Sequence, residues 1–263
     1  MTTQIFFDID GCLITPRYEY NMNIELFKNA IDNIKSKNFV LNLNSNRSLE
    51  TIMKIRKDLD FNGVVIYENG IGIYNPKTEE KKSYGFTQIN KDKIQKIINL
   101  NNYNCNFIST DKIIKYPESF AKQLSKETIF CEQSREYTMT LYPRKLEEGV
   151  VIAGDLINIK NIMQENFPQY ECSINYKYNN VLIIPLGAKK GSNLANLILN
   201  NNSASFGDEI ADISMFEITQ YCGCPLNAYE DVKKDVIKRN GMITNQKYTA
   251  GAFEFIKRIG ELI

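Results

Sequence analysis

The stretch Gln4-Ile5-Phe6-Phe7-Asp8-Ile9-Asp10-Gly11, near the start of the chain, decides the fold. Its first half, Gln4–Phe7, predicts a short buried strand, and this strand runs directly into an aspartate. Ligands of open α/β sheets bind outside the carboxyl ends of the strands. Two aspartates and a glycine at such a strand end therefore mark this loop as a candidate site, provided that the sheet is parallel.

The rest of the sequence supplies the alternation of strands and helices that a parallel sheet requires. The early elements are a helical stripe over 24–34, a strand at Phe39–Leu43, a helix over 52–59 and a strand at Gly63–Tyr67. The late elements are the strands Val181–Ile184, Ser203–Phe206, Tyr221–Leu226 and Met242–Thr244 and the helices Asn193–Leu199, Asp212–Ile218, Tyr229–Arg239 and Ala252–Ile263. Strands connected by helices predict an α/β fold with a Rossmann-like, doubly wound parallel sheet.

Between about Pro76 and about Asn180 the pattern changes. Predicted helices alternate there with tyrosine-rich segments of alternating polarity, which favours an α+β module with a small antiparallel sheet. The helices are Lys91–Leu100, Ser119–Lys126 and Asp155–Phe167, and the strands include Glu136–Tyr142 and Glu171–Tyr178. We therefore expect a core domain formed by residues 1–78 and 183–263, with an inserted α+β cap domain formed by residues 79–182.

The composition excludes several classes of protein. The chain has 263 residues and a net charge of +1, which gives no electrostatic reason to expect nucleic acid as a partner. No apolar run approaches the roughly 18–20 residues of a membrane span, and the first residues lack the basic region of a signal peptide. We predict a cytoplasmic protein with no membrane partner, either a monomer or a homodimer.

The chain contains no histidine. This excludes Ser-His-Asp and Cys-His catalysis and histidine-ligated zinc, so acid–base chemistry falls mainly to carboxylates. The six cysteines, without an export signal, indicate reduced thiols. Cys222-Gly223-Cys224 is their one close pair, and it is more typical of small residues in a buried strand than of a metal site.

Polar loops follow the predicted core strands, and in one parallel sheet they share one rim. They are Asp8-Ile9-Asp10-Gly11, Asn44-Ser45-Asn46-Arg47, Gly187-Ala188-Lys189-Lys190-Gly191 and Gly207-Asp208-Glu209-Ile210-Ala211-Asp212. Lysine alone does not balance the four carboxylates of Asp8, Asp10, Asp208 and Asp212. The rim therefore requires raised carboxyl pKa values or a bound cation. Carboxylate oxygens together with a phosphate substrate indicate Mg²⁺. Serine, lysine and helix N-termini suit phosphoryl oxygens.

These motifs, in this order, resemble those of the haloacid dehalogenase-like phosphatases, specifically the subgroup with a large α/β type-II cap between the second and third motifs. That subgroup includes Cof-like, sucrose-phosphate and mannosyl-3-phosphoglycerate phosphatases and phosphomannomutases. Its motifs are DxDG followed by Thr or Val, a Thr or Ser usually followed by Gly-Arg, Lys-Gly opening a helix, and GDxxND. This chain departs from them at Cys12, Asn46 and Ala211.

The resemblance implies a role for each rim residue. Asp8 is the expected nucleophile, and Asp10 is the expected general acid and base. Ser45 and Lys190 bind the transferring phosphoryl group. The expected Mg²⁺ ligands are Asp8, the backbone carbonyl of Asp10 and Asp208, with Asp212 as a further ligand or a support. The expected substrate-binding residues are Ser45, Asn46, Arg47, Asn69, Lys190 and Asn227.

The implied function is that of a Mg²⁺-dependent phosphomonoester hydrolase that acts on a small phosphorylated metabolite. A sugar phosphate is the expected substrate. Two alternatives stay open: phosphoryl transfer within a sugar phosphate, as in phosphomannomutases, and a catalytically silent phosphosugar-binding regulator. Five cap residues could contact the leaving group, but each is more typical of a solvated sheet face or edge. They are Arg135, Tyr137, Arg144, Lys177 and Tyr178.

Overall fold

A computed structural model describes residues 2–109, 124, 127–176, 178–198 and 202–262 of the chain. It divides into two compact units. Unit 1 comprises Met1–Tyr84 and Ala188–Ile263, and unit 2 comprises Gly85–Gly187. The predicted helix Ser119–Lys126 lies outside the described residues apart from Leu124, and Lys177 lies outside them as well.

Strands and helices are numbered along the chain. The strands are β1 (Thr3–Phe7), β2 (Phe39–Asn44), β3 (Val65–Tyr67), β4 (Gly72–Asn75), β5 (Glu80–Ser83), β6 (Asn104–Ile108), β7 (Thr128–Glu132), β8 (Met139–Glu147), β9 (Val150–Ala153), β10 (Tyr170–Asn175), β11 (Asn180–Pro185), β12 (Ser203–Phe206), β13 (Tyr221–Cys224) and β14 (Met242–Ile243). The α-helices are α1 (Ile24–Ser36), α2 (Leu49–Leu59), α3 (Lys91–Leu100), α4 (Leu156–Asn166), α5 (Ile213–Phe216), α6 (Glu230–Lys238) and α7 (Tyr248–Leu262).

Unit 1 contains an eight-stranded sheet in the order β14-β13-β12-β1-β2-β3-β4-β5. The six strands from β14 to β3 are parallel, and β4 and β5 extend the sheet antiparallel. The chain fills the sheet in one direction from β1 to β3 and in the other from β12 to β14. The strand order therefore reverses at β1, so the loop after β1 lies at the topological switch point, where ligands of such sheets bind.

Burial explains why β1 occupies this central position. Ile5, Phe6 and Phe7 are all fully buried, as expected of a strand that is covered on both faces. The ring of Phe7 contacts those of Phe61 and Phe206, with centroid separations of 5.5 and 6.0 Å. Because β1 is buried on both faces, it fixes the position of the polar loop that follows it at the carboxyl edge of the sheet.

Unit 2 contains a six-stranded, mostly antiparallel sheet in the order β10-β11-β8-β7-β6, with β9 paired to β8. Only the pair β6–β7 is parallel among the pairs formed by its described strands. Helices α3 and α4 contribute Ile94, Ile98, Ile159 and Met163 to a buried cluster with residues of this sheet. Unit 2 therefore has a hydrophobic core of its own.

Three expectations about these elements require correction. Val181–Ile184 is not a core strand, because β11 pairs antiparallel with β10 and β8 in unit 2. The boundaries lie at 84/85 and 187/188 rather than at 78/79 and 182/183, since β5 pairs with β4 in unit 1. Where the helix Asn193–Leu199 was predicted, the described residues form a short 3₁₀ helix, Leu194–Asn196, and Leu199 lies outside them. Lys190-Gly191 lies in a turn before this 3₁₀ helix.

Candidate active site

Asp8 follows β1 directly and is 2% exposed. Its backbone N–H donates to the carbonyl oxygen of Phe206 at 2.9 Å, which continues the parallel pairing of β1 with β12. The carboxylate is therefore held at the carboxyl edge of the sheet by the backbone of two central strands. The position predicted for the nucleophile is rigid and shielded from water.

Lys190 joins Asp8 to Asp212. Its Nζ lies 2.6 Å from Asp8 Oδ1 and 2.6 Å from Asp212 Oδ1, and all three side chains are nearly or fully buried. Burial by itself lowers the pKa of Lys190, but the charges of Asp212 and Asp8 outweigh it and raise that pKa well above its ordinary value. Lys190 therefore remains a cation throughout the physiological pH range.

Asp212 supports the turn that carries Asp208. Its Oδ2 accepts hydrogen bonds from the backbone N–H groups of Asp208 and Glu209, both at 2.9 Å. Its Oδ1 is occupied by Lys190. Because both oxygens are already bonded to protein donors, this arrangement suits the supporting role better than that of a metal ligand.

Asp208 and Cys12 form a second contact at the rim. The Cys12 thiol, which is fully buried, donates to Asp208 Oδ1 at 3.4 Å. Gly11, which has a φ of +81°, passes so close to Asp208 that a Cβ at this position would collide with the carboxylate. Burial, with the charges of Asp212 and Glu209, raises the pKa of Asp208 to about 7. Burial also raises the pKa of the Cys12 thiol well above its usual value.

The charges at this rim do not balance. Asp8, Asp208 and Asp212 are buried, and in the described part of the chain Lys190 is the one basic side chain that forms an ion pair with any of them. Burial raises the pKa of Asp8 well above its ordinary value despite the opposing charge of Lys190. Ligand atoms of Asp8, Cys12 and Asp208 lie within 4.8 Å of one another. Excess buried negative charge with converging oxygens fits a divalent cation.

This imbalance predicts how stability depends on pH and on Mg²⁺. Because the folded pKa of Asp208 is raised to about 7, the folded state holds a proton that the unfolded chain has lost above about pH 4. Without metal, we therefore expect the melting temperature to fall as the pH rises from about 4 to about 7. Mg²⁺ should reverse most of this fall. Thermal unfolding in EDTA and in MgCl₂ across this range measures both effects.

Asp208→Asn is the matched variant for that measurement, since it removes the titrating carboxylate and keeps the side-chain shape. Its melting temperature in EDTA should depend less on pH than that of the wild type. A wild-type melting temperature that rises over the same range without metal would contradict the expectation.

Asp10 is more exposed than Asp8 and is held by Arg47. Arg47 Nε donates to Asp10 Oδ2 and Nη2 donates to Oδ1, both at 2.7 Å, which makes the pair bidentate. The guanidinium also lies 5.1 Å from the centroid of the Tyr18 ring. Burial lowers the pKa of Arg47, but its bonds to Asp10 more than compensate and the pKa is raised. Arg47, predicted to bind substrate, thus contacts the predicted acid–base residue in this structure.

Ser45 follows β2 on the same rim. It is 1% exposed, and its Oγ accepts from the backbone N–H of Arg47 at 3.3 Å. Its own backbone N–H donates to the carbonyl of Ile66 on β3. Ser48, not Ser45, is the N-cap residue of α2, so Ser45 does not serve as a helix cap. Asn46 is half-buried beside it.

The two asparagines predicted to bind substrate hold the backbone of the rim in this structure. Asn69, with a φ of +61°, donates through Nδ2 to the carbonyl of Ala188 at 3.0 Å. Asn227 donates through Nδ2 to the carbonyl of Gly11 at 2.8 Å, and its Oδ1 accepts from the backbone N–H of Tyr248. Both amides therefore tie together loops that come from distant parts of unit 1.

Sequence reasoning missed Asn44, the last residue of β2. It is fully buried, and its Nδ2 donates to the backbone carbonyl of Lys190 at 2.8 Å. Its Oδ1 has no hydrogen-bond partner among the residues that the structure describes. The signal was available, because Asn42 and Asn44 interrupt a strand that is otherwise apolar. A buried amide in a central strand requires a partner, and here that partner is the backbone of the candidate phosphate-binding lysine.

We expect Asn44→Ala to lower kcat about tenfold, because Lys190 loses one of its positional constraints. The free energy of unfolding should fall by about 1 kcal/mol. Asn42→Ala is the matched control on the same strand, since Asn42 bonds to the backbone of Ile5 and Val64 and not to the site. It should cost stability without a selective loss of kcat. Equal kcat values for the two variants would contradict the expectation.

The cap candidates lie in unit 2. Arg135 is 6% exposed and donates to Glu132 Oε2 at 2.7 Å and to Thr138 Oγ1 at 2.9 Å. Arg144 donates to the backbone carbonyls of Pro143 and Asn179, each at 2.8 Å. Both arginines thus bond within unit 2. Tyr137 is buried and Tyr178 is half-buried.

Comparison with known proteins identifies the family of the chain. The model of the haloacid dehalogenase-like hydrolases matches residues 5–256. A haloacid dehalogenase-like hydrolase from Bacteroides thetaiotaomicron is similar in structure, with a TM-score of 0.72 at 19% identity over 98% of this chain and 100% of that chain. One from B. subtilis gives a TM-score of 0.62 at 16% identity over 97% and 98%.

A subclass IIB sugar phosphatase is also similar, with a TM-score of 0.62 at 16% identity over 98% of this chain and 99% of that chain. No curated protein sequence gives a significant match. None of the helices in the described ranges combines the length and the apolar character of a membrane span. Since the family model covers nearly the whole chain, the predicted family and enzyme class are confirmed: the chain belongs to the haloacid dehalogenase-like hydrolases.

Proposed function

We propose that the protein is a Mg²⁺-dependent phosphomonoester hydrolase that forms an aspartyl-phosphate on Asp8. The observation that carries this proposal is the buried cluster of Asp8, Asp208 and Asp212 around Lys190, with Nζ 2.6 Å from two of the carboxylates. A structural ion pair needs one anion for one cation. The additional negative charge supports a site that operates with a divalent cation.

Asp8 is the proposed nucleophile because its carboxylate is fixed and desolvated. Lys190 holds Oδ1, and the backbone pairing of β1 with β12 fixes the main chain. A carboxylate in this position attacks phosphorus in line and expels the leaving oxygen, as in other aspartyl-phosphate enzymes. Ser45 and Lys190 would then bind the transferring phosphoryl oxygens and offset the charge that develops on them.

Asp10 is the proposed acid and base. It must carry a proton to protonate the leaving oxygen and must lose one to activate water in the second half-reaction. Its carboxylate is held by the bidentate contact with Arg47. A substrate phosphate that competes for the guanidinium would weaken this contact and release the Asp10 carboxyl group to face the leaving oxygen. Arg47 thereby keeps its predicted place in substrate binding.

The proposed ligands of Mg²⁺ are Asp8, Asp208 and the backbone carbonyl of Asp10, with Asp212 in support. When bound, the ion supplies positive charge for the phosphoryl oxygens. Lys190 and the turn fixed by Asp212 keep the ligands in place.

A sugar phosphate is the proposed substrate class. Support comes from the similarity to the subclass IIB sugar phosphatase, which extends over 98% of this chain and 99% of that chain. Phosphoryl transfer within a sugar is the weaker alternative, because the two arginines of unit 2 that would bind a second phosphate are bonded within that unit. A silent binding protein has no need for both Asp8 and Asp10. The cytoplasmic location and the monomeric or homodimeric state remain predictions from the sequence.

The test is a panel of sugar phosphates, phosphoglycosides and nucleotides, assayed for inorganic phosphate with MgCl₂ and with EDTA. Release from sugar phosphates that requires Mg²⁺ is the expected result. Interconversion of phosphosugar isomers without phosphate release would support the mutase instead. No turnover of any substrate, with retained binding of phosphosugars, would favour the silent regulator and overturn the proposal.

A further inference from the structure

We propose that Cys12 makes this cation site a binding site for thiophilic divalent cations such as Zn²⁺ and Cd²⁺, which occupy it in an inhibitory form. The inference rests on the cation site of the proposed function, but it does not require that the protein is catalytically active. The observation is the convergence of ligand atoms from Asp8, Cys12 and Asp208 within 4.8 Å of one another. Cys12 is fully buried in that group.

The donor set determines which ions the site prefers. Mg²⁺ is a hard ion that takes oxygen ligands, whereas thiolates select softer ions such as Zn²⁺. Two carboxylates and one thiolate provide three protein ligands of the types that zinc accepts, with a fourth position left for water or a substrate oxygen. Cys12 therefore adds a ligand that Zn²⁺ and Cd²⁺ use and Mg²⁺ does not.

Geometry permits this ligation with little movement. Cys12 Sγ lies 3.4 Å from Asp208 Oδ1. Zinc bonds are about 2.0–2.3 Å long, so small rotations of the three side chains bring their ligand atoms onto one ion. On binding, the thiol proton passes to solvent, the S–H···O contact is lost, and a metal–sulfur bond replaces it. The bound ion then faces three anionic ligands, which suits a buried site with excess negative charge.

The position of Cys12 differs from that of the other cysteines. Cys105, Cys131 and Cys172 belong to the hydrophobic core of unit 2, and Cys222 and Cys224 belong to that of unit 1. All six are unoxidised and buried. Among these six described cysteines, only Cys12 forms a hydrogen bond to a carboxylate. Burial alone therefore does not account for a thiol at this position.

The test is a titration of the full-length, metal-free protein with CdCl₂, followed by the ultraviolet thiolate-to-cadmium charge-transfer absorption and by calorimetry. The wild type should develop the absorption at one equivalent of Cd²⁺. Cys12→Thr and Cys12→Ser should lose it and bind Cd²⁺ at least about tenfold more weakly. Their affinity for Mg²⁺ should change by less than about threefold, since magnesium does not use the sulfur.

Cys222→Ser is the matched control, because it removes a buried thiol of the same unit outside the carboxylate cluster. It should retain the absorption and the affinity for Cd²⁺. The absence of the absorption in the wild type would overturn the proposal without any variant, and so would its persistence in Cys12→Ser. Both results are independent of phosphatase activity, so an inactive protein would leave this inference standing while the proposed function fails.

A second readout concerns inhibition. With saturating Mg²⁺ and a hydrolysed phosphate ester, ZnCl₂ should inhibit the wild type at concentrations at least about tenfold lower than those needed for Cys12→Thr. Equal inhibition of both proteins would show that zinc acts elsewhere and would overturn the inhibitory role.

Discussion

Asp8→Asn should abolish the hydrolysis of phosphate esters, lowering kcat by at least about 10⁴-fold, as expected when a covalent nucleophile is removed. The amide has nearly the same shape as the carboxylate, but it is not nucleophilic and carries no charge. Removing that charge also lowers the excess negative charge around Lys190, so the variant should remain folded. Release of p-nitrophenol from p-nitrophenyl phosphate in MgCl₂ measures the rate, and a thermal melt verifies the fold.

The control for this variant is Asp231→Asn, in which a 72% exposed side chain undergoes the same chemical change. It should leave kcat within about twofold of the wild type, as expected of an exposed ion pair of little energetic weight. If Asp8→Asn retained more than a few per cent of the wild-type rate, Asp8 would not be the nucleophile. The reaction would then require direct attack by water.

Lys190→Met should lower both stability and activity. Its Nζ is the cationic partner of Asp8 and Asp212, and removing one partner from a buried ion pair typically costs about 3–5 kcal/mol. We expect a loss of this size in the free energy of unfolding at neutral pH in EDTA. Burial raises the pKa of Asp8, and loss of the opposing charge of Lys190 would raise it further, so the loss should be smaller at about pH 5. We also expect kcat to fall by about 10²–10³-fold.

Lys189→Met is the matched control, since the preceding lysine is exposed and bonds to Ser192 through its backbone N–H and carbonyl groups. It should change stability by less than about 0.5 kcal/mol and leave kcat unchanged. A Lys190→Met protein as stable as the Lys189→Met protein would mean that Asp8 and Asp212 do not need the lysine as their counter-ion.

Much of the core could be predicted from the sequence because its signals are local. β1 is a mostly apolar run and β12 a run of small and aromatic buried residues, and each ends in a polar loop. The carboxyl ends of parallel strands meet at one edge. This sufficed to predict that Asp8 and Asp208 lie at one edge. Lys190 follows β11, which belongs to the sheet of unit 2, so the same rule does not place it there. Helix α3 was predicted with its observed bounds, since its apolar stripe and its capping asparagine lie within a few residues of one another.

The features that the sequence did not predict have physical causes that are not local. Val181–Ile184 is a short apolar run, and such a run does not reveal which sheet it will join. Asn69 and Asn227 bond to backbone groups more than a hundred residues away along the chain. The contact of Arg47 with Asp10 also depends on how two loops face each other. Side-chain partners of this kind follow from the fold and not from spacing.

The central place of β1 has a consequence for the order in which the molecule folds. Gln4 pairs with Val40 on one side and with Ser203 on the other. One edge of β1, the first strand to be synthesised, therefore stays unpaired until a strand about two hundred residues later has been made. Contacts of such long sequence separation slow folding. Unit 2 is continuous in sequence and contains its own core, so it can fold on the ribosome first. The catalytic rim, by contrast, is assembled only after Asp212 has been synthesised.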